Sequence, residues 1–336
     1  MPRTLQVIAA FLFLLFHYGK GMAQVDSLFS RFSLLQIEYD TNYIQKGTSN
    51  WDAHVFLQAK NNSFSSTDRS ENKSVYFDPL TNLTLGFGGS YKNLVMDVGF
   101  PIQNNKGDSE HASGIDLTTS LYVAQHAADL GFRRFKGYYV SGYDSVKDEL
   151  SSVFRGDIAT ASLHLNYLYN FNFRRYSFNA SFVGRETQRR SAGAPLAGLF
   201  FSYHDLHANE SIIPPDFDIP DNSSARISEA NLWTLGVIGG YAYTFVLPSH
   251  FFLTLSLAPG FALTTGEAKA DAYFDVGEPI NVSFKLLSKN AFGYSNRRFY
   301  GYLSGTSDRS WLKLTADDGI KNNMSKWKLL VGYVIK

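Results

Sequence analysis

Between residues 251 and 264 the chain alternates in character. Phe251, Leu253, Leu255, Leu257, Phe261 and Leu263 fall on one parity, and Thr254, Ser256, Ala258, Gly260, Ala262 and Thr264 on the other. A period of two sends successive side chains to opposite faces of an extended strand, so the segment has one greasy face and one small or polar face. The pattern returns along the chain. Leu83, Leu85 and Phe87 oppose Asn82, Thr84 and Gly86; Leu94, Met96, Val98 and Phe100 oppose Asp97 and Gly99; Ile115, Leu117, Leu121 and Val123 oppose Asp116, Thr118 and Ser120. Leu163, Leu165, Tyr167, Tyr169 and Phe171 oppose Ser162, His164 and Asn166, and the last segment sets Trp327, Leu329, Val331, Tyr333 and Ile335 against Lys328 and Gly332.

Composition fits strands that are apolar on one side only. Aromatic residues make up 15 % and charged residues 18 %, yet the mean hydropathy is slightly negative at −0.16, so apolar and polar residues are interleaved rather than gathered into helical spans. A net charge of +1 gives no reason to expect a nucleic-acid partner.

Alternation also describes a soluble periplasmic β-sandwich, and the connections decide between the two. Short links near residues 91–93, 125–127, 172–174, 247–249 and 294–297 alternate with long polar ones near 61–80, 104–113, 141–157, 207–229, 266–279 and 309–325. Short turns at one rim and long loops at the other are the outer-membrane arrangement. The expected fold is therefore all-β: a transmembrane antiparallel β-barrel of about 12 strands, with short periplasmic turns and long extracellular loops. One stretch resists the count. Residues 176–183 and 199–205 both look like strands, and they are read as one upward traverse interrupted by an excursion at 184–198 that could fold into the lumen. Tyr167, Tyr169, Trp233, Tyr241, Tyr243, Trp327 and Tyr333, at the ends of apolar runs, suit interfacial girdles.

The N-terminus reads as a secretory signal peptide over residues 1–23. Arg3 supplies the positive region, residues 5–16 the apolar one, and Gly21, Met22 and Ala23 the small-residue cleavage context. As a membrane anchor the apolar stretch falls short of the roughly 20 residues a spanning helix needs. Residues 24–50 are assigned to an N-terminal arm or plug and 51–336 to the barrel, located in the bacterial outer membrane. The chain has no cysteine, so neither a disulfide scaffold nor an N-terminal lipoprotein anchor is available to it. Asn-x-Ser/Thr triplets at Asn72, Asn82, Asn179 and Asn281 are expected by chance in a chain rich in Asn and Ser.

Three strings carry a resemblance: Asp40-Thr41-Asn42-Tyr43-Ile44; Asp129-Leu130-Gly131-Phe132 with Lys136-Gly137-Tyr138-Tyr139; and Gln188-Arg189-Arg190-Ser191-Ala192-Gly193. On these the chain resembles an uncharacterised family of Bacteroidota outer-membrane proteins that carries a domain-of-unknown-function label. The likeness covers nearly all of the mature chain, and its most specific element is the Arg-Arg-Ser-Ala-Gly string. It implies an outer-membrane barrel of Bacteroidota and brings no activity or site residues with it. The ending Ile335-Lys336 departs from the aromatic terminus common among such barrels.

Ser162, His164 and Asn166 share one face of one strand, about 7 Å apart along it, which would suit a nucleophile, a base and an orienting amide in a lipid-modifying enzyme. That face is also the polar one, where the same residues are ordinary lumen fillers. His204 and His207, beside Asp205, have a spacing that splits the two rings between faces on a strand, so no metal site is expected. Arg185, Arg189 and Arg190 cannot face hydrocarbon cheaply, at roughly 2 to 4 kcal/mol each near mid-bilayer. They are expected in the lumen or at its outer rim, where Arg185 and Arg189 would pair with inward carboxylates such as Asp97, Asp116 or Glu186 to fix a plug, or bind an anionic substrate or lipopolysaccharide phosphate. No nucleophile elbow, phosphate loop, zinc-protease string or calcium loop occurs.

The expected function is noncatalytic: a narrow or plugged pore, or a structural barrel, needing no cofactor. Its expected partners are outer-membrane lipid, lipopolysaccharide and the barrel-assembly machinery, with a small solute or a protein as the open choice. The alternatives are a lipid-modifying enzyme using Ser162 and His164, and a docking subunit of a surface or secretion machine.

Overall fold

A computed structural model describes residues 38–47, 51–68, 72–79, 83–91, 94–102, 113–123, 125–184, 186–220, 223, 225–270, 275–276, 280–296, 298–313 and 318–335. The signal-peptide assignment at 1–23 lies outside these residues, as does most of the arm.

The chain runs β1 (Ile44–Lys46), β2 (Trp51–Asp68), β3 (Lys73–Pro79), β4 (Leu83–Tyr91), β5 (Leu94–Ile102), β6 (Ser113–Val123), β7 (His126–Asp144) and β8 (Glu149–Asn170). A short helix, α1 (Phe178–Phe182), follows, then β9 (Glu186–Gln188), β10 (Ala192–His207), β11 (Ile227–Val246), β12 (Phe251–Ala270), β13 (Asp275–Val276), β14 (Asn281–Ser295), β15 (Phe299–Lys313) and β16 (Asp318–Ile335).

Every ladder among the described residues is antiparallel, and the last strand, β16, returns to β2, where the wall begins, through Ile335↔Trp51 to Asp318↔Asp68. Closure removes the unpaired edges that an open sheet would present. Ten strands close the barrel at the end away from the short turns, in the order β2, β3, β7, β8, β10, β11, β12, β14, β15, β16. Toward the short-turn rim the shorter β4, β5 and β6 take the place of β3 between β2 and β7, so twelve strands ring the lumen at that level.

Parity does what the alternation predicts. Along β12, Phe261 and Leu263 are exposed on the outer face while Thr254, Ser256 and Thr264 are buried on the inner one. Outward apolar residues are exposed around the circumference, from Val55 and Leu85 through Leu117 and Leu165 to Leu235, Val282 and Val331.

Several expected loops are themselves strand. The stretch near 141–157 folds as the tops of β7 and β8 joined by a turn at 145–148, and the stretch near 61–80 is the β2–β3 hairpin, whose second strand enters the wall. Polar residues on both faces, above the apolar belt, hide the period from a sequence reading.

The excursion also differs from expectation. Strand β8 ends at Asn170, the chain turns at 171–175, and residues 178–182 form α1 rather than a strand; β10 alone makes the upward traverse from Ala192. The excursion is an enlargement of a short-rim turn, so the up-and-down order of every later strand is kept.

Candidate functional site: a plugged and charged lumen

The segment from Tyr176 to Gln188 folds inward from the short-turn rim. Ser177 starts α1 by accepting the Ala180 N–H at 3.0 Å, an N-cap, and donates its own hydroxyl to the Glu186 carboxylate. Gln188 ties the base together: its amide donates to the carbonyls of Arg175 (2.6 Å) and Arg190 (3.0 Å), and its oxygen accepts the Ser177 N–H (3.2 Å). Part of the N-terminal arm joins the same rim, with β1 pairing β9 from Ile44↔Gln188 to Lys46↔Glu186.

This segment is fastened to opposite parts of the wall. Ser181 Oγ lies 2.7 Å from Thr254 Oγ1 on β12, and Tyr302 on β15 donates to the Phe182 carbonyl. Asn170 on β8 donates to the Tyr176 carbonyl at 2.9 Å, and Phe178 stacks on Tyr122 of β6 with ring centroids 5.9 Å apart. Tyr176, Phe178 and Val183 are buried among inward residues that include Leu168, Leu196 and Ala242. Burying each large side chain contributes about 1.5–3 kcal/mol, so the aromatic plug is held chiefly by burial and positioned by its hydrogen bonds.

Above the plug the lumen carries paired charges. Asp97 accepts from His54 Nε2 at 2.7 Å and pairs with Lys328, while Asp52 accepts from Tyr300 at 2.7 Å and from Ser90. Asp129 pairs with Lys289 and accepts from Ser120 at 2.6 Å. Asp308 pairs with Lys285 at 2.9 Å and accepts from Asn166 at 3.0 Å. Asp116 holds Lys60 at 3.0 Å and Arg133 at 3.4 Å. Charges withdrawn from bulk water need such partners, and four separate carboxylates hold cations contributed by different strands. Sequence reasoning named Asp97 and Asp116 and missed most of the others; their signal was parity, since Lys285 and Lys289 sit on the side of β14 opposite Val282, Phe284 and Leu286.

At the far rim lies a buried apolar layer. Phe64, Phe77, Tyr138, Ile158, Leu312 and Ile320 converge there with Ile212, Ile213 and Phe217 of the 208–226 loop. Buried Arg226 gathers that loop, donating to the carbonyls of Ile219 (2.8 Å), Ile213 (3.2 Å) and Phe217 (3.3 Å). Between this layer and the plug, a chamber of about 110 Å³ is lined by Asp129, His164, Asn166, Lys289, Asp308 and Lys326 among others.

Ser162, His164 and Asn166 do lie on the inner side of β8, yet they do not assemble. Asn166 is bonded to Asp308, His164 Nδ1 has no hydrogen-bond partner, and no bond joins Ser162 to His164. His204 faces inward, with Nε2 3.4 Å from the Asn322 amide, whereas His207 faces outward and lies 3.5 Å from Glu229. Among the described residues no group of three or more His, Asp or Glu side chains is placed to hold a metal ion.

The arginines sit elsewhere than the pairing with Asp97 and Asp116 would require. Arg189 and Arg190 are exposed at the short-turn rim; Arg189 donates to the Thr41 carbonyl at 3.4 Å, and the Arg190 guanidinium lies 6.0 Å from the Tyr43 ring. Arg185 lies outside the described residues. Glu186, named as another possible partner, bonds Ser177.

A family profile described as a domain of unknown function (DUF4421) matches residues 38–334. Solved structures of similar architecture include the translocator domain of the autotransporter NalP from Neisseria meningitidis, at 11 % identity and a TM-score of 0.40, covering 94 % of this chain and 97 % of that one. Others are the outer-membrane OmpT of Vibrio cholerae, at 10 % identity and TM-score 0.29 over 86 % and 98 % of the two chains, and the toluene transporter TodX of Pseudomonas putida, at 6 % and 0.27 over 90 % and 92 %. No curated protein matches the sequence.

Proposed function

This chain belongs to the DUF4421 family, and we propose that it is a noncatalytic outer-membrane barrel whose lumen is held shut, passing small solutes only when the segment 176–188 leaves its seat. The apolar belt faces lipid and lipopolysaccharide, with the short turns in the periplasm and the long hairpins outside the cell. Exposed apolar residues around a whole circumference are too extensive for a water-soluble monomer, which supports a membrane location.

The observation that carries the reading is the segment 176–188 seated across the lumen at the short-turn rim, its aromatic residues buried against the wall, with a chamber of only about 110 Å³ beside it. A space of that size suits a few waters, each with a share of about 30 Å³ in the liquid, and is no open pore. A catalytic reading through Ser162 and His164 has less support, because a nucleophile needs its base within hydrogen-bond reach.

Planar-bilayer recording tests the proposal. The wild-type protein is expected to be nearly silent, and replacing residues 177–188 by a short Gly-Ser link is expected to produce stepwise conductance. Steady conductance in the wild type, or a plug-deleted barrel that folds and stays silent, would overturn it.

A further inference from the structure

One seam in the wall is unlike its neighbours. Strands β4 and β5 pair from Leu83↔Ile102 to Tyr91↔Leu94, and β6 and β7 from Ser113↔Lys136 to Val123↔His126. Among the described residues, β5 and β6 meet only at Leu94↔Leu121, beside the short-turn rim. Beyond that pair no further pairing of β5 with β6 occurs among the described residues, and β3 spans the wall farther up, bonding β2 through Phe64↔Phe77 and β7 through Pro79↔Tyr138.

Beside this seam lies a cavity of about 530 Å³. Its lining joins outward Leu117, Leu130 and Phe132 to inward Lys60, Asp116 and Lys326. Strand edges without ladder bonds are tolerated at membrane depth where they line a polar or water-filled cavity. A cavity with greasy lips and a charged interior fits a guest of the same two-part character.

The charge decides its sign. Lys60 and Lys326 are cross-strand partners on the inner face of β2 and β16. Lys60 is neutralised by Asp116 at 3.0 Å, whereas Lys326 makes no ion pair among the described residues, and the carboxylate whose field it feels, Asp129, is already paired with Lys289. One unmatched ammonium suits one carboxylate, and the cavity lies within the roughly 300–1,000 Å³ of small-molecule sites. Both features favour a single acyl chain over a lipid with several chains and phosphates.

We propose that the β5–β6 seam is a lateral portal for a single-chain anionic amphiphile, a long-chain carboxylate, whose head lies on Lys326 and whose chain lies along Leu117, Leu130 and Phe132. The inference rests on the barrel being in a membrane but not on the plug, and its test reads labelling rather than conductance, so either can fail alone.

The protein in lipid vesicles is irradiated with palmitate that carries a diazirine close to its carboxylate, and the adducts are mapped by mass spectrometry. Adducts are expected on the inward residues Asp116, Thr118 or Lys326, falling at least fivefold in Lys326→Gln and retained in Lys326→Arg. The chain has no cysteine, so a Val98→Cys/Leu117→Cys pair, which would face each other if the register of Leu94↔Leu121 continued, can report on the seam. It is expected to stay reduced until an oxidant is added, and then to block inward labelling until dithiothreitol restores it. Spontaneous complete oxidation of the pair, adducts confined to outward residues, labelling indifferent to Lys326, or inward labelling by a two-chain phosphatidylethanolamine probe in preference to palmitate would each overturn the portal. Should the cysteine pair fail to fold, the Lys326 comparison decides alone.

Discussion

The ring of Tyr300 fills the space that a side chain on Gly184 would need: a β-carbon there would lie 2.1 Å from Tyr300 Cδ2. Gly184 also has φ = +81°, where side-chain-bearing residues are disfavoured. Tyr300 is itself fixed by its bond to Asp52 at 2.7 Å, so it cannot simply retreat. Gly184→Val is therefore expected to unseat the plug and to raise conductance several-fold in planar bilayers, with the barrel still migrating as folded on unboiled gels. A Gly184→Val protein as silent as the wild type would separate the plug from gating.

The Lys285–Asp308 pair tests whether the lumen charges are structural. Both side chains are nearly inaccessible, at 2 % and 7 %. Lys285→Met strands the Asp308 carboxylate and should cost about 3–5 kcal/mol, whereas removing both charges in a Lys285→Met/Asp308→Leu double variant should recover most of that loss. Urea unfolding in lipid vesicles measures both. Equal destabilisation of the single and the double variant would mean that the lost packing, not the stranded charge, sets the cost.

Arg226 should control the far rim. Its guanidinium holds together the carbonyls of a loop whose Ile212, Ile213 and Phe217 close the apolar layer. Arg226→Ala is expected to make residues 208–226 cleavable by added protease at least tenfold faster, while the barrel itself survives. Unchanged proteolysis would show that the apolar contacts hold the loop without Arg226.

Ser162 is expected to be unreactive. With no bond between it and His164, and with Asn166 committed to Asp308 at 3.0 Å, a fluorophosphonate probe should label neither the wild type nor Ser162→Ala in intact membranes. Labelling lost in Ser162→Ala would reinstate the enzyme reading.

Much of the wall was legible because period two is a local signal: the opposed faces of β12 and of β16 could be read directly, and the alternation of short and long links pointed to a barrel. The plug was less so. Tyr176, Phe178, Ala180 and Phe182 alternate with Ser177, Asn179 and Ser181, a strand-like pattern that folds as a helix because Ser177 caps it and the lumen wall buries it on nearly every side. Ser177 and Gly184, bracketing the run, were the available signals. The ten-strand closure through β3 was hidden for another reason: it depends on β4, β5 and β6 being too short to reach the far rim, a relation between distant segments that no local pattern carries. The ion pairs share that limit, since Lys289 and Asp129 are 160 residues apart in sequence.

The most direct measurement is gel migration with and without boiling, on protein taken from purified outer membranes. A closed barrel in that membrane runs faster unboiled and shifts on heating, as expected here. An unshifted band found in the soluble periplasmic fraction would contradict the membrane barrel, and the plug and portal would fall with it.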